Sequence, residues 1–326
     1  MPSVQIATLQ AAAVERLRQS GAGLEDAKCL VEHMLTADLW GRTSHGLSVR
    51  YEQMLRLAKA GVGESHPRLD RDLDAVALID GCGGFGYVAA KRCLAELTAR
   101  VRDHGLAAVA LRGARHTGMM GYYADQAARA GIVTLAFAHC RPLMAPAGGA
   151  RARLGTNPLT FGFPASPHPI IVDTATSAIS YGDLMVAEQR GTPIPPGKAL
   201  DGDGRWTCDP RAARKGALVP FGEHRGGALA VAVQCLAGVL TSAAVFPAPD
   251  TDYGLLMVGL RKGLFSDDDT YDAAVAEFVS GYLETPELPG ETVRLPGAKR
   301  YENARRTLDQ GVITIPDRLA DLLGLQ

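Results

Sequence analysis

Two histidine-containing turns carry the side chains that could move a proton. Ser44-His45-Gly46 stands just ahead of a predicted helix, and His116-Thr117-Gly118 stands between a predicted strand and a predicted helix. An imidazole can give or take a proton near neutral pH, and a neighbouring hydroxyl can orient it. Arg50 follows His45 by five residues and could bind a carboxylate with two hydrogen bonds. These residue types predict acid–base chemistry on a small acid. Each turn by itself is also compatible with a surface loop.

Further polar residues cluster between residues 155 and 225. Gly155-Thr156-Asn157-Pro158 is a tight turn, and Asp173 begins a run of hydroxyl residues directly after an apolar strand. Asp173 would make a good helix N-cap. Asp183 lies in a weakly charged helical stretch, either as a carboxylate that polarises His45 or as a solvated helix charge. His224-Arg225, ahead of a long apolar helix, suits a pyrophosphate but also a surface turn.

One glycine motif imitates a dinucleotide fingerprint. The segment 81–86 reads Gly-Cys-Gly-Gly-Phe-Gly between a strand and a helix, as GxGxxG does. That fingerprint also needs an acidic residue at the end of a second strand about 20 residues later. Here residues 100–104 are a helix end. We therefore interpret the motif as a glycine turn that lets two backbones approach, and not as a Rossmann fingerprint.

Composition excludes several classes of function. The 326 residues carry 34 basic and 35 acidic side chains, so no global field attracts nucleic acid or an anionic membrane. The six cysteines form no CxxC pair and no zinc pattern, which predicts reduced thiols, no metal site and a cytoplasmic protein. No signal peptide and no membrane-spanning run is expected.

The elements that position these residues follow from periodicity. Residues 7–60 are predicted as three helices, the first capped by Thr8. From residue 74 onward strands alternate with helices, which is typical of an α/β region. The expected strands are 75–79, 106–111, 132–138 and 255–258, and the expected helices are 88–104, 122–130, 178–190, 228–244, 269–282, 298–310 and 316–323.

The order of the motifs resembles that of the malate/L-lactate dehydrogenase type-2 family, from about residue 5 to 315. This family includes ureidoglycolate and L-sulfolactate dehydrogenases and the Δ1-piperideine-2-carboxylate/Δ1-pyrroline-2-carboxylate reductases. The resemblance implies an α/β fold with a non-Rossmann NAD(P)-binding domain of the L-sulfolactate dehydrogenase-like type. It implies a helical substrate and dimer domain from residues 1–72 and 296–326, and an α/β region 73–295 that binds cofactor at about 116–295. A homodimer that uses NADPH, with NADH as the alternative, is expected.

The resemblance also implies roles for individual residues. His45 would be the proton donor in a relay with Ser44 and Asp183, whereas in the hydroxy-acid branch His116 has the acid/base role. Substrate would contact Arg50, Thr156 and Gly182. The implied cofactor contacts are His116, Thr117, Gly118, Met119, Met120, Cys140, Thr174, Ala175, Thr176, His224, Arg225, Pro296, Gly297 and Arg300.

Two segments favour the imine-reductase branch. Tyr181-Gly182-Asp183 looks like that branch's His-Gly-Asp, and the segment 226–229 looks like its Gly-Ser-Ala-Leu. We therefore expect reduction of a small cyclic 2-imino acid to L-pipecolate or L-proline. The alternatives are a 2-hydroxy-acid dehydrogenase that uses His116 and a catalytically weak cofactor-binding protein. Arg225 stands where the family has lysine, and Arg50 stands one residue later than the family's arginine, so its substrate role stays open.

Overall fold

Helices form the first sixty residues, as the spacing of their apolar residues predicts. In the computed structural model, which describes residues 1–325, they are α1 (Ile6–Gln19), α2 (Leu24–Leu39) and α3 (Leu47–Lys59), with a 3₁₀ turn (Thr43–His45) before α3. The expected cap at Thr8 is wrong, because α1 begins at Ile6 and contains Thr8. Strand β1 (Ser3–Gln5) pairs with β11 (Val312–Thr314) and leads the chain directly into the helix.

A seven-stranded sheet forms the centre of the molecule. Its strands are β2 (Arg68–Leu73), β3 (Val76–Asp80), β4 (Leu106–Ala114), β5 (Ile132–Ala138), β6 (Leu159–Phe163), β7 (Ile170–Thr174) and β10 (Tyr253–Arg261), in the order β2-β3-β4-β10-β5-β6-β7. Among the described residues, β3 and β4 are its one parallel pair of neighbours. The fold is therefore a mixed α/β fold with a central sheet. A small sheet of β8 (Ala199–Leu200) and β9 (Ala217–Leu218) lies apart.

Most of the remaining helices are expected from the sequence but have shifted ends; the helix at 298–310 has its expected bounds, and the short helix at 210–215 is not expected. They are α4 (Gly86–His104), α5 (Met120–Arg129), α6 (Tyr181–Arg190), α7 (Pro210–Lys215), α8 (His224–Gln234), α9 (Asp268–Leu283), α10 (Ala298–Gln310) and α11 (Asp317–Leu323). The start expected at residue 178 is wrong, because the Ser180 hydroxyl accepts the Asp183 N–H and caps α6 at Tyr181. The long helix expected over 228–244 begins earlier, at His224, and passes into a π-helical turn (Cys235–Val239).

Strand directions bring three loops to one edge of the sheet. β4 and β5 both run antiparallel to β10, and β5 and β7 both run antiparallel to β6. β4, β5 and β7 therefore point the same way, and their C-terminal ends meet at one edge. The turn that contains His116 follows β4, Cys140 follows β5, and Thr174 ends β7.

The glycine-rich turn before α4 supports that edge. A Cβ added at Gly86 would lie 2.2 Å from the carbonyl oxygen of Arg115, so only glycine lets the two backbones approach this closely. This confirms the interpretation of residues 81–86 as a close-approach turn, and its partner is the loop that carries His116. Among residues 1–325, no helix has both the length and the apolar character that crossing a membrane requires.

Candidate active site

A cavity of about 600 Å³ opens at the sheet edge where β4, β5 and β7 end. Its other walls are the 3₁₀ turn, α3 and the start of α6. It brings together most of the residues proposed from sequence, which are Ser44, His45, Arg50, His116, Thr117, Gly118, Met119, Met120, Cys140, Thr156, Thr174, Ala175, Gly182 and Asp183. Residues almost 140 positions apart in the chain thus line one space.

Six of the expected cofactor residues lie outside this cavity. Thr176 is fully buried and its hydroxyl donates to the Thr156 carbonyl, so it supports the cavity wall from behind. His224 and Arg225 are exposed at the start of α8. Pro296 lines a second cavity of about 290 Å³, and Gly297 and Arg300 follow it into α10.

Ser44 and His45 form a contact pair inside the main cavity. Ser44 Oγ lies 3.3 Å from His45 Nδ1. Burial, and then the charges of Arg50 and Arg42, lower the pKa of His45 to about 3, so its ring is neutral in the empty protein. A Cβ at Gly182 would lie 2.4 Å from the Ser44 Cβ, so glycine at this position allows α6 to pack against the pair.

Arg50 places the two terminal nitrogens of its guanidinium in the same cavity. The residue is buried, and its Nε donates to the Ser44 carbonyl at 3.0 Å. Its Nη1 and Nη2 make no hydrogen bond within residues 1–325. A planar fork that is fixed at Nε and free at both ends fits a carboxylate. The position of Arg50 on α3 therefore suits it to binding an acid beside His45.

The second histidine of the cavity is held in one tautomer. Nδ1 of His116 accepts the Gly118 N–H at 3.2 Å, so the proton of the neutral ring is assigned to Nε2. Burial lowers the pKa of His116 well below its ordinary value, so the ring resists further protonation. Its ring stacks on that of His45 with centroids 5.9 Å apart. The Ser44 hydroxyl can donate to Nδ1 of His45 or accept from it, so His45 can be neutral or protonated. Nδ1 of His116 is occupied by the Gly118 N–H, so His116 is suited only to donate a hydrogen bond from Nε2.

The expected three-residue relay is only half formed. Asp183 lies in the first turn of α6, where its N–H is bonded to Ser180 and its side chain is exposed to the cavity mouth. Its carboxylate makes no hydrogen bond to Ser44 or His45 in the part of the chain that is described. The predicted Ser44–His45 contact is present, but the predicted link to Asp183 is not.

Asp38 is a residue that sequence reasoning missed. Its Oδ2 accepts the Leu47 N–H at 2.8 Å and so caps α3, and a Cβ at Gly46 would lie 1.7 Å from its Oδ1. Burial, opposed by the hydrogen bond from Leu47, raises the pKa of Asp38 to about 7. Asp38 therefore fixes the backbone turn that presents Ser44 and His45. An acidic residue in the last turn of a helix, where the helix dipole disfavours negative charge, is the signal that could have found it.

The pH dependence of stability should report on Asp38. Between the ordinary value of 3.8 and about 7, the folded protein holds a proton on Asp38 that the unfolded chain has released. Asp38 therefore reduces folding stability progressively as pH rises through this window. Asparagine does not titrate, and its amide oxygen can still accept the Leu47 N–H. In urea unfolding, the stability of Asp38→Asn minus that of the wild type should grow across the window. A difference that does not vary with pH would show that the carboxyl pKa is ordinary.

Asp173 also differs from expectation. It lies one residue before the end of β7 and does not cap the segment that follows the strand, so its expected role as a local N-cap is wrong. Instead it accepts the Gly121 N–H at 2.9 Å and the Thr160 hydroxyl at 2.7 Å. The carboxylate thus caps α5 from a neighbouring strand, because the sheet places the end of β7 against the start of that helix.

A buried cation lies near this helix start. Arg300 is 4% exposed, and its guanidinium lies 4.8 Å from the centre of the Trp40 ring. Its Nε and Nη1 are buried without a hydrogen-bond partner within the described chain. A Cβ at Gly121 would lie 2.8 Å from Nη1, so the guanidinium adjoins the first turn of α5. Burial lowers the pKa of Arg300, and the nearby carboxylates of Asp173 and Asp125 oppose this without a hydrogen bond to its Nε or Nη1, so these two nitrogens stay free for an acceptor within the described chain.

A further arginine lines the main cavity without a carboxylate partner. Arg141 follows Cys140, and its guanidinium lies 5.1 Å from the centre of the Tyr181 ring. It forms no ion pair within residues 1–325. A guanidinium held near a ring face by its charge keeps its N–H groups available for hydrogen bonds. No cluster of three metal-binding side chains occurs in the described part of the chain.

Comparisons with known proteins show which sequences and folds this chain resembles. The sequence model of the malate/L-lactate dehydrogenase family matches residues 4–323. An L-lactate dehydrogenase of Cupriavidus necator is 36% identical over 302 residues, with 88% of this chain and 86% of the relative covered. A Δ1-pyrroline-2-carboxylate reductase of Ancylobacter novellus is 32% identical over 323 residues, covering 95% and 94%. The crystal structure of a Δ1-piperideine-2-carboxylate reductase from Pseudomonas syringae superposes with a TM-score of 0.87 at 28% identity, covering 100% of both chains.

Proposed function

This chain belongs to the malate/L-lactate dehydrogenase family of NAD(P)H-dependent oxidoreductases, and we propose that it reduces a small cyclic 2-imino acid. The substrate would be Δ1-piperideine-2-carboxylate or Δ1-pyrroline-2-carboxylate, and the product L-pipecolate or L-proline. The observation that carries the proposal is the Ser44–His45 pair beside the unengaged fork of Arg50. This arrangement places an acid anchor and a proton-transfer group in one cavity.

The residues of the cavity divide the work of the reduction. Arg50 binds the substrate carboxylate with its two free nitrogens. The bound anion offsets the positive charge that helps to lower the pKa of His45, so that pKa rises when substrate enters. Ser44 holds the imidazole in place, and His45 then gives its proton to the imine nitrogen. The bound nicotinamide cofactor supplies the hydride that the imine carbon needs. Asp183, at the cavity mouth, favours positive charge on that nitrogen.

The residues present fit a dinucleotide cofactor. The unpartnered Nε and Nη1 of Arg300 suit a phosphate group, whereas the Gly121 N–H at the start of α5 is already bonded to Asp173. In the main cavity, the segments that would hold the cofactor are 116–120, Cys140 and Thr174-Ala175. The N–H of Ile171 donates to the carbonyl of Pro296, so edge strand β7 runs from the main cavity toward the second one. We propose that NADPH, or alternatively NADH, binds along this edge and not in a Rossmann unit. His224 and Arg225 would contact it from α8.

Removing the buried cation should weaken cofactor binding. We expect Arg300→Met to raise the dissociation constant for NADPH by about tenfold or more, the loss of one charged hydrogen bond. Titration of the fluorescence of the reduced cofactor measures it. Arg306→Met is the matched control, because Arg306 is exposed on the same helix and, within residues 1–325, its side chain bonds only to Asn303. Equal affinities for wild type and both variants would remove Arg300 from the cofactor site.

A second candidate function is oxidation of a 2-hydroxy acid that carries another acidic group. The observation that favours it is Arg141, a cation with no carboxylate partner in the same cavity as Arg50. In this case neutral His45 would act as the base, because the Nε2 of His116 already carries a proton. The role of His116 expected from the hydroxy-acid branch is therefore less favoured by the geometry.

Cofactor consumption distinguishes the two functions. The purified protein should oxidise NADPH or NADH in the presence of either cyclic imino acid, with L-pipecolate or L-proline identified as product. Turnover of malate or lactate, without turnover of either ring, would reject the imine proposal and establish the second candidate. Cofactor binding with no turnover across the whole panel would indicate a catalytically weak binding protein.

We also propose that the protein is a cytoplasmic homodimer. Helix α9 has no buried residue, and Phe278, Tyr282 and Leu283 are exposed on it. A sixteen-residue helix with such side chains is suited to packing against a second copy. The six free cysteines suit a reducing compartment. Light scattering of the purified protein should give twice the chain mass of 34.4 kDa.

We also propose the division of the chain into a terminal helical domain (1–72 and 296–326) and an α/β region (73–295).

A further inference from the structure

Several arginines line the main cavity, and two of them are enclosed without an acidic partner. The set within residues 1–325 is Arg42, Arg50, Arg56, Arg141 and Arg214. Arg42, Arg56 and Arg214 are exposed to solvent, and Arg214 is also paired with Glu188 at 2.6 Å. Arg50 is buried and Arg141 is half-buried, and neither forms an ion pair in the described chain. The cavity therefore offers two enclosed guanidinium groups, although a single carboxylate needs only one.

The chain around Arg141 is fixed at the cavity wall. Arg141 lies in the loop after β5, directly before Pro142. The Leu143 N–H donates to the Leu154 carbonyl at 2.8 Å, and the Leu143 carbonyl accepts the Leu218 N–H at 2.9 Å. The guanidinium carbon of Arg141 lies 5.1 Å from the centre of the Tyr181 ring. Backbone and side chain are thus both restrained in the free protein, which lowers the ordering cost of binding an anion.

Ser44 is the point at which the surroundings of the two arginines meet. Its carbonyl oxygen accepts the Arg50 Nε–H at 3.0 Å. A Cβ at Gly182 would lie 3.1 Å from the same oxygen, so the start of α6 packs against it. Tyr181 directly precedes Gly182, and its ring is the one that Arg141 contacts. Both guanidinium groups are therefore held by elements that pack around Ser44, and both line the cavity that contains His45.

A phosphate of the cofactor is the other anion that Arg141 could bind. The phosphate position proposed above is at Arg300, which adjoins the first turn of α5. Arg141 instead contacts the first residue of α6, next to the glycine that packs on Ser44. This position, on the side of the proton-transfer pair, favours an acidic group of the substrate.

We propose that Arg141 determines substrate choice by binding a second acidic group, while Arg50 binds the carboxylate next to the reacting carbon. The preferred substrate is then a small diacid. For imine reduction, it is a cyclic 2-imino acid with a second carboxylate on its ring, and hydride transfer and protonation by His45 are unchanged. A monoacid leaves Arg141 without a partner and binds more weakly. This inference rests on the proposed role of Arg50 in binding the first carboxylate.

Binding of acids that do not react tests the proposal without any turnover. The diacids malonate, succinate and glutarate are compared by calorimetry with propionate, butyrate and valerate, the monoacids of the same lengths. We expect at least one diacid to bind about tenfold more tightly than its monoacid, as for one added charged hydrogen bond. The series of lengths allows for the unknown spacing between the two bound groups.

Variants assign that preference to one side chain. Arg141→Met should lower the affinity of the favoured diacid to that of its monoacid and leave the monoacid affinity unchanged, which also shows that the cavity is intact. Arg141→Lys keeps the charge without the planar fork, so its preference should be intermediate. Arg56→Met is the matched control, because it removes an exposed guanidinium from the same cavity and should retain the full preference.

Three results would overturn the proposal. They are equal binding of diacids and monoacids by the wild type, a preference that persists in Arg141→Met, and a preference that Arg56→Met abolishes equally. A raised dissociation constant for NADPH in Arg141→Met, with the diacid preference intact, would assign Arg141 to a cofactor phosphate. Unchanged monoacid binding in Arg50→Met would remove the premise about Arg50. Absence of imine reduction leaves these binding results unaffected, so the two proposals fail separately.

Discussion

Arg50→Met is expected to raise the KM for the acidic substrate by about a hundredfold or more, because two charged hydrogen bonds to its carboxylate are lost. Methionine retains much of the side-chain volume in this buried position, so the fold should persist. Steady-state kinetics with the cyclic imino acid measure the effect. Affinity for the cofactor alone should be unchanged, since no cofactor group is assigned to Arg50.

Lysine at the same position provides the graded control. Arg50→Lys keeps the positive charge but loses the planar fork, so its KM should lie between those of the wild type and of Arg50→Met. The charge also helps to lower the pKa of His45, which should therefore be higher in Arg50→Met than in the wild-type free enzyme. In histidine NMR, a His45 titration that does not move in Arg50→Met would contradict this coupling. A KM that is unchanged in both variants would remove Arg50 from the substrate site.

His45→Ala is expected to lower kcat by a factor of about 10² to 10⁴, the usual contribution of a positioned general acid. Cofactor affinity should be retained, because His45 contacts Ser44 and does not support the start of α5. Single-turnover decay of the NADPH signal measures the chemical step directly.

His116→Gln is the matched control in the same stack of rings. Glutamine can keep a donor toward the cavity, and His116 is held by the Gly118 N–H in a tautomer that cannot take up a proton at Nε2. Its kcat should fall much less than that of His45→Ala. A loss in His116→Gln that equals or exceeds the loss in His45→Ala would transfer the acid/base role to His116.

The sequence predicted the side chains of the site better than their contacts. Ser44, His45 and Arg50 were placed together because they are close in sequence, and a helix begins between them. The link to Asp183 depends on how α6 packs against the 3₁₀ turn, and in the observed packing the Asp183 side chain is exposed at the cavity mouth. Contacts of this kind depend on tertiary packing, which periodicity does not report.

Long-range caps were also beyond the reach of sequence patterns. Asp173 caps α5 from a strand 52 residues away, and Asp38 caps α3 from the end of α2. A cap from a neighbouring element has no fixed spacing, so local N-cap rules cannot identify it. The exposed edge strand β2 was missed for a related reason, since all six of its residues are exposed and charged residues predominate. By contrast β5 and α10 were predicted at their observed bounds, because buried alternation and helical spacing are continuous there.

Imine reduction is tested most directly by the specificity constant of the wild-type protein for Δ1-piperideine-2-carboxylate, compared with that for oxaloacetate. Both are measured as NADPH oxidation in the same preparation at the same pH. We expect kcat/KM to be higher for the cyclic imine, with L-pipecolate as the product. A higher kcat/KM for the oxo acid, with no pipecolate formed, would contradict it and place the proton from His45 on a carbonyl oxygen.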